Sequence, residues 1–145
     1  MEVRQIGQED RDEWLKLRTR LWPTESGEPM TSASHVTLDN QHAAVFVAEH
    51  EGRLVGFAEV SVRAQAEGCR TSPVGYLEGW YVDAANRSSG VGGTLVKAAE
   101  DWASQQGCRE MASDCVLGNT VGLVAHEHLG YRPTVKSVFL RKSLS

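Results

Sequence analysis

Cysteine is scarce in this chain and badly spaced for a framework: Cys69, Cys108 and Cys115 are odd in number and form no C-x-x-C pair. That excludes a disulfide scaffold and a cysteine-built zinc site, and the expectation is reduced thiols with no metal. Long apolar runs are missing as well. No stretch approaches the roughly 20 residues needed to cross a bilayer, and the opening "MEVRQIGQEDRDEW" is charged throughout, without the apolar core of a secretory signal. A cytoplasmic protein that does not engage membrane is expected. A basic excess is absent too. The net charge is −4 and acidic residues are spread among basic ones rather than gathered in a tail, so nucleic acid is a poor partner and a cationic ligand suits the chain better.

What is present fits one compact α/β domain over residues 1–145, with 41% hydrophobic composition to build a core. The stretch "DRDEWLKLRTRLWP" carries Trp14, Leu17, Leu21 and Trp22 at helical spacing and is closed by Pro23. The polar segment "TESGEPMTSASHVTLDNQHA" follows, with weak helical character near its end. "AAVFVAEHEGRLVGFAEVSV" runs apolar on both sides of Glu51 and Gly52, as an antiparallel hairpin does. "VGYLEGWYV" predicts another strand, the Gly90 turn a helix through about Gln106, "REMASDCV" a strand, and "NTVGLVAHEHLG" a helix ended by Gly130. Strands near Val138 are expected to finish a layout β-α-(α)-β-β-β-α-β-α-β, a mixed sheet with helices on its faces. There is no internal repeat.

The turn "NRSSGVGGTL" holds the chemistry. Gly90, Gly92 and Gly93 lack Cβ atoms and let another molecule approach the backbone, while the first turn of the next helix offers unpaired N–H groups and the positive end of its dipole. Such a place binds phosphate. It is not a P-loop, because Thr94 stands directly after Gly93 where Lys is required, and it is not a dinucleotide fingerprint, because Leu95 stands where a Gly is needed. A plain flexible turn is the competing reading.

Arg87-Ser88-Ser89-Gly90-Val91-Gly92 resembles the Arg/Gln-x-x-Gly-x-Gly/Ala signature of the GCN5-related N-acetyltransferases, the GNAT superfamily. "LEGWYV" precedes it as that family's central strand does, and Asn119, seven residues before His126 and followed by "LGY", is similar to a later family segment. The likeness extends to type I aminoglycoside 6'-N-acetyltransferases through "RLWP", "SPVGYLEGWYV", "GCREMASD" and "FLRKSL". The resemblance implies a GNAT fold, a mostly antiparallel mixed sheet splayed at its central parallel strands, with acetyl-CoA entering the gap. It further implies that Arg87, Ser88, Ser89, Gly90, Val91, Gly92 and Gly93 hold the pyrophosphate, and that a bulge near Gly79 turns the N–H groups of Trp80, Tyr81 and Val82 toward the thioester and pantetheine. Gly79 read without the family allows close packing against a neighbour equally well.

Amine acetylation needs a neutral amine, a donor for the developing oxyanion and a proton acceptor. Glu78 and Asp114 converge on one bound amine if "YLEGW" and "EMASD" flank the splay, and the resemblance makes both the aminoglycoside contacts; otherwise they are solvated charges at strand ends. His126 stands where many family members have a thiolate-protonating Tyr, and an unperturbed pKa of roughly 6.5 permits that role, although a helix-surface residue is the alternative. Asn119 caps its helix, contacts pantetheine, or both. Trp22 either stacks on sugar rings or continues the apolar stripe, and Gln65 occupies a loop where relatives present an aromatic. Glu25, Glu28 and Glu67 can add negative potential without any one being decisive.

These readings imply a direct acetyl transfer from acetyl-CoA to the 6'-amine of aminoglycosides, conferring resistance, by an enzyme that related proteins suggest is a homodimer, in some cases with exchanged C-terminal strands. The alternatives are a GNAT acting on another small polyamine or a protein amine, and an acyl-CoA binding module without turnover.

Overall fold

The structure, a computed structural model, describes residues 1–23 and 40–145. The weakly helical segment expected between them, with Glu25 and Glu28, lies outside the described residues. A short strand β1 (Glu2–Gln5) leads into helix α1 (Arg11–Leu21), and β2 (Ala43–His50), β3 (Arg53–Arg63) and β4 (Val74–Val82) follow. Helix α2 (Val91–Gln105), strand β5 (Met111–Ser113) and helix α3 (Thr120–His128) complete the elements. The strands form one sheet in the order β1-β2-β3-β4-β5, antiparallel as far as β4 and parallel between β4 and β5. This is the expected mixed, mostly antiparallel sheet with one parallel pair.

Local chemistry explains the boundaries. The β2–β3 hairpin closes through Glu51 and Gly52 at φ 52° and 78°, the left-handed pair whose twist matches that of the flanking strands. Gly90, at φ 83°, turns the chain into α2, where Val91, Leu95, Val96, Ala99 and Ala103 make one buried stripe. The helix stops at Gln105, one residue short of the expectation, and Gly107 at φ 92° follows. Strand β5 is shorter than "REMASDCV", because its pairing with β4 covers only Gly75–Leu77 against Met111–Ser113.

The two main helices take opposite faces of the sheet. Trp14, Leu15 and Leu17 of α1 pack on Val45, Val47 and Phe57, whereas a Cβ on the neighbouring Gly56 would meet the Leu95 side chain of α2 at 3.2 Å, and successive strand residues point to opposite faces. Two irregularities shape β4. Opposite β3, Glu59 pairs with Gly79 and Val60 with Leu77, so Glu78 is an inserted bulge residue. On the other edge, β4 runs on through Val82 after β5 has left it at Leu77, which is the splay.

The described residues divide into two compact units, 1–114 and 115–145. In the second, the Asn119 side chain caps α3 by accepting a 3.0 Å hydrogen bond from the Gly122 amide, and Gly130 at φ 94° follows its end. The expected strands near Val138 are absent: residues 131–145 carry no strand or helix, and Val138, Phe139 and Leu140 are 75%, 96% and 90% exposed. A strand exists only where a neighbour takes its main-chain hydrogen bonds, and alternating hydrophobicity does not supply that neighbour.

Candidate active site

Leu77 and Ser113 are the last pair of the parallel ladder; the next residue along β4 is Glu78, and the residue that follows β5 is Asp114. The two carboxylates expected from sequence therefore bracket the point where the sheet opens. Glu78 sits on the bulge, with its side chain only 11% exposed. Arg63 donates to it through Nη2 at 2.7 Å and Nε at 3.0 Å, and the Ser61 hydroxyl donates as well. Asp114 is exposed and accepts a 2.5 Å hydrogen bond from the Tyr76 hydroxyl. Burial first, then this hydrogen bond, push the Tyr76 phenol well above its usual range, so it remains a donor. Burial opposes the charge of Arg63, but Glu78, Tyr76 and Asp114 outweigh it and hold the guanidinium above its ordinary value. Asn40, His42, Ser61, Val62, Arg63 and Glu78 line an open cavity of about 280 Å³ beside these groups.

Trp22 closes the other side of Glu78. It is the residue after α1, its amide bonds to the Arg18 carbonyl at 2.8 Å, and its ring lies 6.3 Å from that of Phe57. A Cβ on Gly79 would fall 2.3 Å from the Trp22 ring. Bulge and close packing, separate explanations of Gly79 in the sequence, thus hold together. Beneath lies a charged layer that sequence reasoning missed. The Arg18 guanidinium stands 4.8 Å from the centre of the Trp22 ring and donates to Glu59 at 2.6 Å, and Trp14 Nε1 donates to the same carboxylate at 3.0 Å. Both partners are buried, Arg18 at 4% and Glu59 at 1% exposure. Burial raises the Glu59 carboxyl, while Arg18 and Trp14 act against the rise.

The strand beyond the bulge presents its backbone to the gap. The Asp83 amide bonds back to Val55 at 2.8 Å, so by antiparallel alternation the main-chain groups of Tyr81 face β3 and those of Trp80 and Val82 face the edge that β5 has left. The Val82 carbonyl on that edge accepts Arg87 Nε at 2.8 Å. The Trp80 ring faces α2, where a Cβ on Gly92 would meet it at 3.1 Å. Gly92 thus lets the helix settle on an indole, and Gly90 supplies the left-handed residue before it. Val91, Gly92 and Gly93 form the first turn of α2, whose N–H groups have no acceptor within the helix. Ser88 is exposed, and Ser89 spends its hydroxyl on the Asn86 carbonyl at 2.6 Å.

Gln65 is exposed in the loop after β3. Within the second unit, the His126 ring nitrogen Nδ1 lies 2.7 Å from the Gly122 carbonyl, and the ring meets Tyr131 edge-on at 5.8 Å. Asn119 is occupied as the cap of α3. Among the described residues no cluster of His, Cys, Asp and Glu is placed to hold a metal, and no helix is long and apolar enough to cross a membrane. The polar residues missed by sequence reasoning did leave a signal: Glu59, Ser61 and Arg63 recur at every second position of a strand that is apolar from Leu54 to Ala58, and one strand face carries them all.

Comparison with known proteins agrees with this geometry. The Acetyltransferase (GNAT) family pattern matches residues 10–131. An aminoglycoside N(6')-acetyltransferase type 1 of Salmonella typhimurium is 37% identical over 143 residues, covering 98% of this chain and 99% of the relative. Its counterpart from Klebsiella aerogenes is 40% identical over 146 residues, covering 98% and 96%. The crystal structure of an aminoglycoside antibiotic 6'-N-acetyltransferase from Acinetobacter haemolyticus superposes with a TM-score of 0.86 at 34% identity, over 100% of both chains. AAC(6')-Iy in complex with the bisubstrate analog CoA-S-monomethyl-acetylneamine gives 0.85 at 35% identity, over 98% of this chain and 97% of that one. The strand order, the bulge, the opened parallel ladder and full-length similarity converge: the chain belongs to the GNAT acetyltransferase family.

Proposed function

We propose that this protein transfers the acetyl group of acetyl-CoA to the 6'-amine of aminoglycosides, with residues 1–145 acting as one catalytic domain. The observation that carries the reading is the position of Glu78 on β4 and Asp114 just after β5, each at the first step past the last parallel pair. Two carboxylates there attract an ammonium group to the gap, and the exposed Asp114, aligned by Tyr76, takes the proton directly or through a water. The open edge of β4 supplies main-chain donors from Trp80 and Val82 to the acyl donor. The first-turn amides Val91, Gly92 and Gly93, with Arg87 beside them, suit a pyrophosphate: the left-handed Gly90 leaves open space where a Cβ would stand. Acetyl-CoA supplies the activated acyl group when bound. Trp22 offers an aromatic wall to the sugar beside Glu78, and Gln65 lies in the loop after β3 on the substrate side. His126 is the thiolate-protonating acid, and Asn119 adds a contact to pantetheine besides its cap.

A homodimer completes the assembly. A C-terminal segment that leaves Val138, Phe139, Leu140 and Leu144 between 75% and 96% exposed needs an apolar cover, and a second copy provides it. The cytoplasm, where acetyl-CoA is made and used, is the site of action.

The test is purified protein with acetyl-CoA and kanamycin, read as free thiol, repeated with spermidine and a lysine-containing peptide. Release with kanamycin is expected; release only with spermidine or the peptide moves the substrate to another amine, and none at all leaves a binding module. Asp114→Asn is expected to lower kcat by about 100-fold, with the nucleotide still binding by calorimetry. An unchanged kcat removes Asp114 from the proton path.

A further inference from the structure

We propose that Arg63 is an internal cation that stands in the place of a substrate ammonium and limits how much positive charge the site accepts. The inference rests on the aminoglycoside reading above and concerns the selectivity of that same site. A carboxylate that is to hold an incoming ammonium should have acceptor capacity left. Glu78 has about three of its four acceptor sites filled, by both arms of the Arg63 fork, at 2.7 and 3.0 Å, and by the Ser61 hydroxyl. Paired forks of this kind are among the stronger polar contacts in proteins.

The guanidinium is fitted to its place on a second side. Its central carbon lies 3.5 Å from the centre of the Tyr76 ring, an aromatic face on which a desolvated cation is held. Tyr76 in turn donates its hydroxyl to Asp114 at 2.5 Å. Arg63 therefore connects the two carboxylates: it pairs with one and rests on the ring that aligns the other, and both act to hold its pKa above the ordinary value. The buried Glu59 below is answered by Arg18, so it adds little to this count. Among the described residues, these two carboxylates against one guanidinium leave a single net negative charge at the gap.

The fork is also able to move. The Arg63 side chain is 39% exposed whereas Glu78 is 11% exposed, and the guanidinium borders the cavity that His42, Asn40 and Glu78 line. A substrate amine that takes more than the last acceptor site of Glu78 turns this side chain toward water and replaces its two hydrogen bonds. The exchange is nearly balanced for one ammonium. Each further ammonium meets the repulsion of a retained positive charge, so the cost grows with the charge of the ligand.

Calorimetric binding of kanamycin, a polycation, and of 6-amino-6-deoxyglucose, a monocation, to the wild-type protein and to Arg63→Gln and Arg63→Lys tests this. The Gln variant is expected to bind kanamycin about tenfold more tightly and the monocation only about threefold more tightly, with the gain shrinking as salt is raised. The Lys variant keeps the charge and is expected to match wild type for both. Three results overturn the inference: no tightening in the Gln variant, equal tightening in the Lys variant, or no kanamycin binding by wild type and Gln variant alike. Absence of thiol release with kanamycin would sink the acetyl-transfer reading alone, since the comparison of affinities does not depend on turnover.

Discussion

The two faces of the central strands are built on opposite principles. Toward α2, β3 and β4 offer Gly56, Ala58, Val60 and Gly75, and the helix answers with Leu95, Val96, Ala99 and Ala103, all small or apolar and nearly all fully buried. Toward α1, the same strands offer Phe57, Glu59, Ser61, Arg63 and Glu78, and the helix answers with Trp14, Arg18 and Trp22. One face is a core that needs only volume. The other is a chain of charges and rings in which each group is placed by its neighbour, from Trp14 and Arg18 through Glu59, and from Arg63 and Tyr76 to Asp114. The bulge at Glu78 makes the second face possible, because an inserted residue puts the Glu78 carboxylate and the Gly79 seat for Trp22 on the same side.

Breaking the charged face should cost most. Arg18→Met leaves Glu59 buried without its cation, and a loss of about 3–5 kcal/mol in urea unfolding at neutral pH is expected. The remaining carboxyl then has a folded pKa raised above its unfolded value, so its protonated form is the stable one. The loss should shrink as pH falls through that raised value and reach its full size above it. Arg18→Met with Glu59→Leu should recover most of the stability; a double variant as weak as the single one would contradict the charge argument.

The apolar face should respond to volume alone. Leu95→Ala creates a cavity costing about 3 kcal/mol, and the same unfolding series should show no dependence of this loss on pH. A pH-dependent loss would mean that the two faces are coupled. Gly79→Ala should be the mildest, about 1–3 kcal/mol from overpacking against Trp22, yet it should raise KM for the aminoglycoside because the ring must leave its seat. Trp22→Leu in the same background should restore stability but not KM.

Much of the site was legible because it is written locally. The Glu51-Gly52 turn, the apolar stripe of α2 and the left-handed Gly90 each depend on residues within one turn of each other. The positions of Glu78, within one strand pattern, and Asp114, at the end of another, were legible in the same way. What escaped was the pairing: Arg63 meets Glu78 across 15 residues and Arg18 meets Glu59 across 41, separations at which spacing carries no signal. The strands expected near Val138 failed for a related reason, since an alternating pattern states a willingness to pair and not the presence of a partner.

The sequence by itself determined most of the elements, the glycine turn before α2 and the two acidic residues bordering the gap, because propensity, periodicity and left-handed backbone are short-range properties. Only the tertiary structure decided which charges neutralise one another, that Trp22 rests on Gly79, and that the Arg63 guanidinium pairs with Glu78. Those outcomes depend on register across β3 and β4 and on the docking of α1, where a shift of a single residue would send every side chain to the other face.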